Sequence, residues 1–131
     1  MMSRFSRYLE KVFDVSGWAG RLSDSRERPR ITTAAVWWSA FYLFATGRGS
    51  LNAMEADLRA PGRFDAWIGP RKPSADRIGD VMALMDPASL RAMLSGVNHR
   101  LGRNKALRAL WPLRFVAFDG HEFFSLTASA L

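Results

Sequence analysis

Apolar residues recur at helical spacing along most of the chain, and small or capping residues separate the segments. The spacing predicts a first helix over residues 2–16, ended by Gly17. Residues 33–46 are apolar nearly all round, which predicts a central buried helix with Thr32 or Thr33 as N-cap. Further amphipathic helices are predicted at 51–60 and 75–85, capped by Ser50 and Ser74, and from about residue 88 to 101.

The pattern changes beyond Pro112. Residues 113–118 and 121–126 are short apolar runs rich in β-forming side chains, with Asp119-Gly120 between them. This arrangement predicts a β-hairpin. Because a hairpin alone is only marginally stable in water, two apolar strands indicate the beginning of a sheet that has further strands. We therefore expect a mainly α fold of four or five helices followed by a C-terminal β-hairpin.

The net charge of the chain indicates which class of binding partner to expect. The chain has 19 basic and 12 acidic residues, a net charge of +7, and only three of the basic residues are lysines. Arginine presents a planar fork of donors that suits phosphate, so the excess favours nucleic acid. The simpler alternative is an arginine-rich composition without a polyanion partner.

The candidate DNA contacts fall into three clusters. The first lies in the polar connector 21–31, the second precedes a predicted helix, and the third lies in a stretch without an acidic residue. Their members are Arg26, Arg28 and Arg30, then Arg71 and Lys72, then Arg100, Arg103, Lys105 and Arg108. A helix-turn-helix-like pair fits either 33–60 or 74–101. The aromatic residues of 37–44 are interpreted as core rather than as base-stacking groups.

Several classes of protein are excluded. No cysteine is present, so a disulfide scaffold and a cysteine-containing zinc site are ruled out. His99 and His121 have no partner at metal-ligand spacing and are interpreted as surface residues. The apolar window 34–45 is too short for a membrane span, which needs about 20 residues. We expect a cytoplasmic protein with no membrane contact.

Four segments, in order, resemble bacterial insertion-sequence transposases of the DDE type. They are LSDSRERPRI (22–31), GRGSLNAMEADLR (47–59), PSADRIGDVMALMDPASLRAML (73–94) and FVAFDGHEFFS (115–125). The resemblance implies a helical DNA-binding domain at 1–110, followed at 111–131 by the first strands of an RNase H-like catalytic domain.

The resemblance also implies a metal role for one residue. Asp119 matches the first catalytic aspartate, which in this family helps to hold Mg²⁺. The same residue fits an ordinary Asp-Gly turn, and the second aspartate and the glutamate cannot be identified here. We therefore expect this chain alone to bind no cofactor and to be catalytically inactive.

Three functions follow as alternatives. The chain is a transposase fragment that binds DNA, a DNA-binding module that inhibits transposition, or an interaction domain without DNA binding. Its expected partners are the DNA phosphate backbone and a second copy of itself or a full-length transposase.

Overall fold

The computed structural model describes residues 2–62 and 64–104, and these residues form seven helices and no β-strand. The helices are α1 (Met2–Phe13), α2 (Val15–Ala19), α3 (Thr33–Ala45), α4 (Leu51–Arg59), α5 (Asp65–Ile68), α6 (Ala75–Leu84) and α7 (Pro87–Arg103). The fold class predicted from the sequence is therefore wrong. Two short helices, α2 and α5, raise the count above four or five, and the described part has no strand. The predicted hairpin over 113–126 lies outside the described residues.

Helix α3 is the centre of the fold, as its composition predicts. It packs against α2, α4, α5 and α6. Val36, Trp38 and Tyr42 on this helix are almost completely buried. A helix that is apolar on every face gains stability only when neighbours surround it, so these four helices assemble around α3.

Side-chain caps fix where the main helices begin. The hydroxyls of Thr32, Ser50 and Ser74 each accept a hydrogen bond from a backbone N–H in the first turn of α3, α4 and α6. The carboxylate of Asp86 does the same for α7, with Pro87 at its first position. Each cap satisfies a donor that has no partner within the helix. The caps at Thr32, Ser50 and Ser74 confirm the predicted starts of α3, α4 and α6, and α7 begins one residue before the predicted position 88.

The N-terminal helix predicted over 2–16 is instead broken at Asp14. This residue has a left-handed conformation, with φ 53°, and separates α1 from α2. The Glu10 carboxylate accepts a 2.6 Å hydrogen bond from the Ser16 hydroxyl and a second one from its backbone N–H. Gly17 lies inside α2 rather than ending a helix, and a Cβ there would collide with the Asp14 carboxylate, so glycine fits this position.

Backbone hydrogen bonds join the polar connector between α2 and α3 to the junction of α6 and α7. Asp24 and Met85 form an isolated antiparallel bridge. The Ser25 N–H donates to the Leu84 carbonyl at 3.3 Å, and the Asp86 N–H donates to the Ser23 carbonyl at 2.9 Å. These bonds join two segments that are far apart in the sequence.

Candidate nucleic-acid interface

The connector is organised by a buried ion pair. The Arg26 guanidinium binds both carboxylate oxygens of Asp24, at 2.8 and 2.7 Å, and also donates to the Ile31 carbonyl. The Thr33 hydroxyl donates to the same carboxylate at 2.6 Å. The Asp24 side chain is only 1% exposed. The hydrogen bonds from Arg26 outweigh the effect of burial and hold the pKa of Asp24 well below its usual value, while the pKa of Arg26 is raised.

The three arginines of the first predicted cluster differ in their exposure to solvent. Arg26 uses its donors inside the fold, so the structure gives it a stabilising role and not the exposed phosphate contact that the sequence predicted. Arg28 and Arg30 are both exposed, and Arg28 has a left-handed backbone conformation with φ 47°. Of the three arginines, only these two present their charge to solvent.

Arg30 and Arg71, which belong to different predicted clusters, line one groove. The groove has a volume of about 400 Å³, and we call it the α5 groove; its other lining residues are Ile31, Thr32, Ala35, Asp65, Ala66, Trp67, Ile68, Gly69 and Pro70. Lys72 is held differently, because its ammonium group binds the Asp65 carboxylate and the Gly69 carbonyl. The second cluster is therefore also divided, with Arg71 exposed and Lys72 largely buried in an ion pair.

A second pocket lies between the C-terminal ends of α1 and α7. It has a volume of about 260 Å³ and is lined by Lys11, Val12, Arg100, Arg103 and Asn104. The Arg100 guanidinium donates to the Val12 carbonyl at 3.2 Å, which satisfies an acceptor in the last turn of α1. This α1–α7 pocket thus combines three cationic side chains, and its lining contains no acidic residue.

Lys11 was missed by the sequence analysis. It lies 89 positions before Arg100, so no local cluster includes it, although a cation in the last turn of a helix is a recognisable signal. Helical register places Arg4 on the same face of α1 as Lys11, and both are exposed. We call the surface formed by Arg4, Lys11, Arg100 and Arg103 the basic strip.

The structure does not describe the remaining predicted site residues. Lys105, Arg108 and Asp119 lie outside the described ranges, so the structure does not test the DNA contacts of the first two or the metal role of Asp119. Within the described ranges, no group of three or more Asp, Glu or His side chains is placed to hold a metal ion.

The two proposed helix pairs differ in their packing. Helices α3 and α4 pack against each other, as a helix-turn-helix-like pair requires, whereas α6 and α7 make almost no contact. The interpretation of the α3 aromatics as core holds for Trp38 and Tyr42, which are buried. It is wrong for Phe44, which is 79% exposed.

None of the helices in the described part has both the length and the apolar character that crossing a membrane requires. Comparison with known protein families, characterised proteins and solved structures finds no match to this chain.

Proposed function

We propose that this chain is a DNA-binding domain that contacts the phosphate backbone through the basic strip. The observation that carries the proposal is the α1–α7 pocket, where Lys11, Arg100 and Arg103 converge from two helices with no acidic lining residue. Such a concentration of cations attracts a polyanion and releases its counterions on binding. Because phosphates carry no sequence information, the contacts give affinity for DNA of any sequence.

The sequence resemblance extends the proposal to a biological role. We propose that the domain is the DNA-binding part of a bacterial DDE transposase, acting in the cytoplasm. In the full-length family Mg²⁺ is held by several carboxylates, and Asp119 matches the first of them. One carboxylate does not hold a metal pair, so the purified chain should neither cleave nor join DNA. This role is tested by sequencing the DNA immediately downstream of the gene and searching all frames for one that encodes the second aspartate and the glutamate of the catalytic site.

DNA binding itself is tested with a random-sequence duplex and a salt titration. The Lys11→Ala/Arg103→Ala variant should bind more weakly, and the slope of log K against log salt should fall by about 0.9 for each phosphate contact removed. Arg77→Ala/Arg91→Ala is the matched control, since both arginines are exposed and lie outside the basic strip. Circular dichroism checks that both variants remain folded.

The two double variants distinguish DNA binding through the basic strip from attraction by the net positive charge of the whole chain. An equal loss of affinity in both double variants would show that net charge alone attracts DNA and would contradict the assignment to the basic strip. Absence of binding at low salt would overturn DNA binding altogether.

A further inference from the structure

We infer that the exposed face of α1 binds single-stranded DNA, with a base stacked on Tyr8 and the flanking phosphates on Arg4 and Lys11. This inference rests on the proposed DNA binding and names the form of DNA that the basic strip prefers. It gives a role to an exposed aromatic side chain that the fold itself does not use as core.

The three residues are aligned along one face of α1. They occupy positions i, i+4 and i+7 of α1, which lie on one helical face. At a rise of about 1.5 Å per residue, Arg4 and Lys11 are separated by roughly 10 Å along the helix axis. Tyr8 lies between the two cations.

The Tyr8 ring is positioned but not covered. It contacts the buried Phe13 edge to face, with ring centroids 6.0 Å apart, yet 57% of its surface remains exposed. Its hydroxyl makes no hydrogen bond to any residue that the structure describes. The contact with Phe13 restrains the ring and leaves the rest of the aromatic surface open to a flat partner.

The surroundings of Tyr8 favour an anionic partner. Glu10, the acidic residue of α1, turns away from this face and binds Ser16. A lipid surface is a poor alternative, because α1 uses its apolar side, including Phe13, to pack on the protein core. Aromatic rings beside cations are the usual means of holding single strands, whose unpaired bases offer a free face. A duplex already stacks its bases internally and has no such face to offer.

The test compares a fluorescent 20-nucleotide oligo(dT) with a duplex of the same length, by anisotropy at one low salt concentration. Tyr8→Ala should weaken oligo(dT) binding by about fivefold or more, the fold-change that roughly 1 kcal/mol represents. Duplex affinity should stay unchanged. Tyr8→Phe should retain the wild-type affinity for oligo(dT). Leu94→Ala is the control for losing an exposed apolar side chain, since Leu94 is 61% exposed on α7.

Photocross-linking of the wild-type chain to a 5-bromouracil oligonucleotide gives a second measurement that does not depend on a variant. The adduct should map to the α1 peptide that contains Tyr8. An unchanged oligo(dT) affinity in Tyr8→Ala, or an equal loss for oligo(dT) and duplex, would overturn the inference while DNA binding stands. Absence of binding to both DNA forms would instead remove the proposed function.

Discussion

The indole ring of Trp18 on α2 lies directly against the backbone of Gly96 on α7. A Cβ built on Gly96 would fall within the Trp18 ring, so only glycine permits this approach. The indole Nε1–H is buried and has no acceptor in the described part of the chain. The Arg21 guanidinium lies 4.8 Å from the ring centroid. Shape and a cation–π contact, rather than a hydrogen bond, therefore fix Trp18 between α2 and α7.

We expect Gly96→Ala to lower the free energy of unfolding by about 1–2 kcal/mol. The added methyl group forces Trp18 or α7 to move, and overpacking of this kind outweighs the gain in helix propensity. Gly79→Ala is the matched control, because a Cβ on this α6 residue meets nothing within 4 Å. It should stabilise the chain by about 0.5–1 kcal/mol. Urea denaturation measures both, and wild-type stability in Gly96→Ala would contradict the packing described.

Asp24→Asn should destabilise the chain by roughly 3 kcal/mol at neutral pH, because it leaves the Arg26 guanidinium without its buried partner. The same pair predicts a pH dependence. The pKa of Asp24 is lowered in the folded state, so its stabilisation is complete above the unfolded value near 3.8 and is lost as the pH falls below it. Urea midpoints between pH 7 and pH 3 should fall more in wild type than in Asp24→Asn. Asp80→Asn, on the exposed surface of α6, is the control for removing a carboxylate without a buried partner.

The buried Ser6 and Tyr42 hydroxyls, 3.4 Å apart, should show energetic coupling in a double-mutant cycle. Ser6 is 2% exposed and Tyr42 is completely buried, so removing either hydroxyl leaves the other without a partner. We expect Ser6→Ala and Tyr42→Phe each to cost about 1 kcal/mol, and the double variant to cost less than their sum. Strict additivity would show that the two hydroxyls do not stabilise each other.

Arg26→Ala and Arg103→Ala should affect different properties. Arg26 is 15% exposed and paired, so its loss should lower the thermal midpoint without changing the DNA affinity of the folded protein. Arg103 is exposed in the α1–α7 pocket, so its loss should weaken DNA binding and leave the thermal midpoint nearly unchanged. Thermal melts and anisotropy on the same samples check both. A large loss of stability in Arg103→Ala would assign it a structural role instead.

The main helices could be predicted because their signals are local. The hydroxyls of Ser50 and Ser74 and the apolar composition of 33–46 identify starts and burial without knowledge of the neighbours. The break at Asp14 could not be predicted in the same way. It depends on Glu10 reaching Ser16 and on the space that Gly17 leaves, and both are properties of the folded backbone.

Charge clusters in the sequence predicted the candidate interface only in part. Arg26 and Lys72 are neighbours of exposed arginines in the chain, yet each faces a carboxylate in space, Asp24 and Asp65 respectively. Lys11 was overlooked for the converse reason, since the packing of α1 against α7 brings it to Arg100. Sequence gives the number of charges, and tertiary contacts decide which of them are available to a ligand.

The bridge between Asp24 and Met85 closes the chain into a loop. Ser23 and Asp86, which flank it, are 63 positions apart, and α3 to α6 lie entirely between them. Along the chain, unfolding that starts from either end of the described part therefore meets the two backbone hydrogen bonds of this bridge before it reaches α3 to α6. We expect the described part of the chain to open in two stages, an outer stage that releases α1 or α7 and an inner stage in which the hydrogen bonds of this bridge break. The Asp86 N–H donates to the Ser23 carbonyl across the bridge, so we expect its proton to exchange with solvent only in the second stage.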